Sequence, residues 1–175
     1  MNSYDWIQIL LYFGLLIVCT PLLGRYMANV FVGKRTLLSP LLQGVERLIY
    51  RLAGVDAVNE MRWTHYLFAL LAFNLVGFCF LLLLQLLQGV LPLNPAGLPG
   101  VEPWLAFNTA TSFMTNTNWQ AYGGETTMSY LTQMMGLSVQ NFVSAATGIA
   151  VVIALTRGLA RRNGQTLGNF WADLV

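Results

Sequence analysis

Three long stretches of this chain carry no charge: Trp6 to Gly24, about Tyr66 to Gln88, and Thr126 to Thr156. The first, WIQILLYFGLLIVCTPLLG, rises about 28 Å as a helix, close to the ~30 Å thickness of a bilayer's hydrocarbon core. The second, YLFALLAFNLVGFCFLLLLQLLQ, is apolar on every side apart from Asn74 and two glutamines near its far end, which suits contact with lipid. The third exceeds the ~20 residues needed to cross and holds Gln133, Ser138, Gln140, Asn141, Ser144 and Thr147, so one side of it has to face protein or water. Composition points the same way, with 9% charged residues against roughly 25% in a soluble domain. Nine basic and seven acidic residues cannot clothe a water-facing globule of 175 residues, and the surplus apolar surface must meet lipid or partner chains. A cleaved signal peptide is disfavoured for the first stretch, because it opens beside Asp5, ends beside Arg25 and is longer than such a core.

The basic residues set the expected topology. Arg25, Lys34, Arg35, Arg47, Arg51 and Arg62 follow the first span, Arg157, Arg161 and Arg162 follow the third, and no others exist. The positive-inside rule places both groups in the cytoplasm, with Met1 and the connection from Gly89 to Glu125 outside. Between the first two spans, GVERLIYRLAGV (Gly44 to Val55) sets Val45, Leu48, Ile49 and Leu52 opposite Glu46, Arg47 and Arg51, the spacing of a short amphipathic helix lying at the headgroups. The net charge of +2 is too small, and its placement too topological, for a nucleic-acid partner.

The outer connection changes character along its length. LPLNPAGLPG (Leu91 to Gly100) is broken by prolines and glycines into an exposed loop. Glu102 and Pro103 then make a good helix start, and PWLAFNTATSF can continue to Phe113, a rise of only about 16 Å or half a membrane. The following MTNTNWQAYGGE is polar, uncharged until Glu125, and able to turn back at Gly123 and Gly124. A half-length helix followed by irregular polar chain between two full spans is the arrangement of a pore loop. Its negative helix end would face the membrane centre, and Thr115, Asn116, Thr117 and Asn118 would offer neutral oxygens to a monovalent cation. A site for Ca²⁺ or Mg²⁺ would recruit carboxylates, of which Glu125 is the nearest. By span geometry alone, a surface helix followed by a turn-rich extracellular loop remains the competing description.

Other chemistry has little material. Cys19 and Cys79 sit inside apolar runs and imply no disulfide framework, and His65, the sole histidine, reads as an interfacial side chain. Gly33-Lys34 lacks the earlier glycine and the Ser/Thr of a phosphate loop, and Asp5, Asp56 and Asp173 lie in no phosphorylated-aspartate motif. Asn74 reads as a helix-packing amide. Gly136, Gln140, Ser144 and Gly148 form a small-residue face expected to pack on the half-helix, with Gln140 and Asn141 as secondary candidates to line an ion path.

The string FMTNTNWQAYGGET, with VLPLNPAGLPG before it and SVQNFVSAATGIAV after it, closely resembles the potassium-binding A subunits of bacterial Kdp-type potassium-transporting ATPases. GVERLIYRLAGV and TLGNFWADLV extend the resemblance over essentially the whole chain. It implies an all-α integral membrane protein of three transmembrane helices plus a re-entrant pore half-helix and filter loop. The expected organisation is an extra N-terminal transmembrane helix (1–25), a cytoplasmic connector with an amphipathic helix (26–64), the first helix, pore loop, helix repeat of a channel-like transporter (65–158), and a cytoplasmic segment leading to further repeats (159–175). The chain thus looks like a fragment, the first third of such a subunit. The resemblance implies that Thr115, Asn116, Thr117 and Asn118 form a K⁺ selectivity-filter segment supported by Trp119 and Gln120. It also implies capture of K⁺ from outside the bacterial inner membrane and delivery through an intramembrane tunnel to a P-type ATPase catalytic subunit, with accessory subunits and lipid as partners. No organic cofactor and no catalysis on this chain are expected. The filter lacks the glycines of potassium channels, so side-chain oxygens could join the backbone carbonyls. The alternative from another class is a structural membrane subunit whose outer loop docks a partner, with a membrane-embedded enzyme third.

Overall fold

A computed structural model of the chain describes residues 3–161 and 165–175; Met1 and Arg162, which entered the topology argument, lie outside them. Two compact units result, Met1–Val55 and Asp56–Val175. The first contains helix α1 (Ser3–Phe31) and helix α2 (Ser39–Ala53). α1 continues past Arg25, tolerates Pro21 in its interior, and exposes nearly all its apolar side chains, as lipid contact requires. α2 starts earlier than the periodicity indicated, with Pro40 in its first turn, and ends at Gly54 in the left-handed conformation (φ 64°), whose N–H caps the Tyr50 carbonyl.

In the second unit, strand β1 (Met61–Arg62) leads into α3 (Trp63–Leu87), followed by α4 (Pro103–Met114), the short α5 (Gly124–Thr127), a π-helical segment (Thr132–Ser138) continuous with α6 (Val139–Ala160), strand β2 (Thr166–Gly168) and α7 (Phe170–Leu174). Tyr4–Phe31, Trp63–Leu87 and Thr132–Ala160 are long and apolar enough to cross a membrane. α4 packs on α3 around Leu81, Val101, Ala106, Ala110, Phe113, Met128 and Leu137. The π-helical turns open the third span beside α3, where Gly136 permits a close approach: a Cβ there would lie 2.8 Å from Leu81 Cδ1 and 2.9 Å from Leu84 Cδ2, so those leucine side chains would have to shift.

The residues after α6 fold back onto the helices that precede them. β2 pairs antiparallel with β1, and Phe170 is buried with Tyr66, Ala150 and Ala154. Arg157 joins Asp173 at 2.6 Å and the Leu167 carbonyl at 3.1 Å, while the Tyr66 hydroxyl lies 3.0 Å from both Asp173 Oδ2 and the Ala150 carbonyl. The Arg157 guanidinium fills the space that a side chain at Gly168 (φ 100°) would need. Arg161 holds Glu60 through two bonds of 2.8 and 2.9 Å, and Thr166 Oγ1 donates to the same carboxylate. These hydrogen bonds hold the Glu60 carboxyl down at about 2. Two arginines that set the topology are therefore also the links closing this end of the bundle.

Candidate functional site

The short helix α4 is positioned at both ends by its own sequence. Glu102 accepts the Leu105 N–H (2.8 Å), and Pro103 occupies the first turn, where a missing N–H costs nothing. Ala106, Thr109, Ala110 and Phe113, at helical spacing, are buried, and Phe107 meets Phe78 edge to face at 5.5 Å between ring centroids. The helix is held along one face by α3 and stops where its sequence turns polar.

Beyond Met114 the backbone N–H groups turn back into α4. Thr115 donates to the Thr111 carbonyl (3.0 Å), Asn116 to Phe113 (3.3 Å), and both Thr117 (3.0 Å) and Asn118 (3.2 Å) to Ser112. The Trp119 N–H closes onto Ser112 Oγ. Asn116 and Asn118 have φ of 58° and 55°, in the left-handed region that asparagine tolerates better than most residues, while Thr115 has φ of −83°. A right-handed residue followed by a left-handed one, as at Thr115 and Asn116, turns successive N–H groups to one side, and Ser112 receives three of them, from Thr117, Asn118 and Trp119. Among the described residues no hydrogen bond reaches the carbonyl oxygens of Thr115, Asn116, Thr117 or Asn118.

The expected site residues are brought together, and all six, Thr115 to Gln120, are exposed. Thr115 Oγ1 lies 3.0 Å from Thr117 Oγ1 and bonds the Thr111 carbonyl (3.0 Å), and Asn116 Oδ1 accepts from Ser144 Oγ (3.1 Å) on α6. Glu125 is exposed in the first turn of α5. No charged side chain lies within 115–120, so the electrostatic feature at this point is the negative end of α4.

The small-residue face of the third span divides its contacts. Gly136 meets α3 rather than the half-helix, Ser144 reaches Asn116, and Gly148 has open space beside it. Gln140 is buried with its side-chain oxygen beside Gly77, and its Nε2 finds no hydrogen-bond partner among the described residues, whereas Asn141 is exposed. Asn74 bonds the Leu70 carbonyl of its own helix (2.7 Å), and His65 is exposed.

Three structurally central residues escaped the sequence reading. Ser112 is the acceptor hub just described. Gln85, fully buried, donates to the Leu81 and Ala106 carbonyls, tying α3 to α4. Gln88, 1% exposed, donates to the Pro99 (2.8 Å) and Thr127 (2.7 Å) carbonyls and accepts from Ser129 N–H (3.0 Å) and Thr132 Oγ1 (3.1 Å). It thus joins α3, the loop before α4, α5 and the start of the third span. The only signal in the sequence was two amides in an otherwise apolar helix, which says that partners exist but not which.

Known proteins of the same kind carry this chain along its length. A protein from Rhodospirillum centenum named potassium-transporting ATPase potassium-binding subunit is 64% identical over all 175 residues, and these span 30% of that protein. Proteins of the same name from Pseudomonas entomophila and Bordetella pertussis are 61% and 62% identical over the whole chain, which covers 31% and 30% of their lengths. The chain therefore spans less than a third of the curated relatives it matches. The family profile described as KdpA, potassium-transporting ATPase A subunit, matches residues 10–175, and the chain belongs to that family.

Proposed function

We propose that this chain supplies one wall of a K⁺ selectivity filter in a channel-like, non-catalytic subunit of an ATP-driven K⁺ uptake system. The observation that carries the reading is the backbone at 115–118: amide N–H groups turned into α4, carbonyl oxygens without partners, and the negative end of a half-length helix behind them. Carbonyl oxygens so freed can replace the hydration shell of a monovalent cation, and their neutrality lets the ion leave again. Exposure of Thr115 to Gln120 suits a wall completed by three further repeats, which the family resemblance implies. In this reading α4 re-enters the membrane from outside, and the N-terminus and the Gly89 to Glu125 connection face outward. The arginine-closed end of the bundle lies in the cytoplasm of an inner membrane. K⁺ is the cargo, Trp119 and Gln120 support the filter, and ATP is hydrolysed by a P-type catalytic chain assembled with this subunit and accessory ones.

The test is made in the assembled full-length transporter. K⁺ or Rb⁺ density beside Thr115 to Asn118 is expected, and Asn118→Asp, which adds a fixed charge near the ion, should change the K⁺ dependence of ATPase activity without preventing assembly. Unchanged K⁺ dependence in an assembled variant, with the loop contacting another subunit and holding no ion, would favour a docking role for the outer loop.

A further inference from the structure

The geometry points to Ser144 on α6 as the residue that positions the filter by holding the Asn116 carboxamide, an inference that rests on the filter reading above. Ser144 is 4% exposed, and its Oγ donates to Asn116 Oδ1 at 3.1 Å across the gap between the third span and the chain after α4. A hydroxyl inside a helix ordinarily closes onto the carbonyl four residues back. Thr147 and Thr156 on the same helix do so, bonding Val143 and Val152 at 2.9 and 2.8 Å. Ser144 reaches across instead, to the first of the two left-handed residues.

This bond decides which oxygen of Asn116 is available to an ion. A carboxamide oxygen has two lone-pair directions. Here one accepts the Ser144 hydroxyl, and the Asn118 Nδ2 lies 3.5 Å from the same atom. With Oδ1 engaged toward α6, Asn116 presents its backbone carbonyl, which carries no hydrogen bond among the described residues. The side chain anchors, and the main chain coordinates. Removing the Ser144 hydroxyl frees the carboxamide to compete for the ion and loosens the left-handed backbone at 116, so discrimination between K⁺ and other monovalent cations should suffer more than turnover.

The experiment is a double-mutant cycle in the assembled full-length transporter, reading the K⁺ concentration for half-maximal ATPase activity, the maximal rate and the K⁺ to Rb⁺ ratio. Ser144→Ala should raise half-saturation roughly five-fold, as expected for one lost neutral hydrogen bond, with the maximal rate retained. Asn116→Gly keeps the backbone carbonyl and the positive φ but removes the anchored side chain, so Ser144→Ala should add nothing in that background. An equal shift in both backgrounds would mean that Ser144 acts through packing and overturn the proposal. No shift from Ser144→Ala while Asn118→Asp alters K⁺ dependence would also overturn it and leave the filter reading standing. No shift from either variant would overturn both.

Discussion

Replacing Gln88 by leucine should loosen the joint between the end of α3, the loop before α4, α5 and the start of the third span. The side chain makes four hydrogen bonds, and after Gln88→Leu the Ser129 N–H and the Thr127 and Pro99 carbonyls lose their partners there, while Thr132 Oγ1 retains Ser129 Oγ at 3.0 Å. Each buried group left unsatisfied costs about 1–3 kcal/mol. Pro99 is exposed, so water can replace its partner. Thr127 is half-buried, so only the Ser129 amide, 2% exposed, is certain to stay dry, giving an opening free energy lowered by about 2 kcal/mol, or roughly thirty-fold faster exchange of the Ser129 amide. Hydrogen exchange on the purified protein, followed over residues 127–133, reads this directly. Gln88→Glu sharpens the test: it keeps the acceptor for Ser129 but turns its second oxygen toward two carbonyls, so protection should return only as pH falls and that carboxyl protonates. Ser129 exchange within about three-fold of wild type in Gln88→Leu, well short of the loss expected from an orphaned amide, would refute the assignment of Gln88 as the anchor.

Two further outcomes follow from charge placement. Because the Glu60 carboxyl is held at about 2 against an ordinary 4.5, its contribution to the β1–β2 closure is complete above 4.5 and fades as pH falls toward 2. A spin label at Gln165→Cys, with Cys19 and Cys79 replaced by serine, should stay immobile down to about pH 4.5 and gain mobility below it. The same label in a Glu60→Gln background should be mobile at neutral pH, and an immobile label there would contradict the role given to Arg161. For topology, Ala96→Cys should react with an impermeant thiol reagent from outside intact cells, and Val58→Cys, at a position 89% exposed and without the positive φ that would strain a cysteine in place of Gly54, should be protected. Labelling at 58 from outside would invert the orientation.

The spans were legible because lipid imposes rules that act along the chain: about twenty residues, no charge, and cations gathered on one side. Trp6 to Gly24 and Tyr66 to Gln88 needed no tertiary information, and the half-helix was marked by its own cap, Glu102-Pro103, and by the polar string after it. That string also drew attention to Thr115 to Asn118 as neutral oxygen donors, although span geometry alone left a turn-rich surface loop open and the family resemblance carried the filter expectation.

What the sequence could not supply was the destination of each buried polar atom. Gln88 finds Thr132, Tyr66 finds Asp173, Arg161 finds Glu60 and Ser144 finds Asn116, partners separated by 28 to 107 residues. Hydropathy is a local quantity, and it shows only that such groups must be satisfied somewhere. The left-handed turns at Asn116 and Asn118 were hidden for the same reason, because they hold only with Ser112 collecting the amides and α3 and α6 fixing the helix that carries it. Hydrocarbon dictated which segments can cross, and the need to pair every polar group inside it, met only by distant chain, decided how they close around the chain after α4.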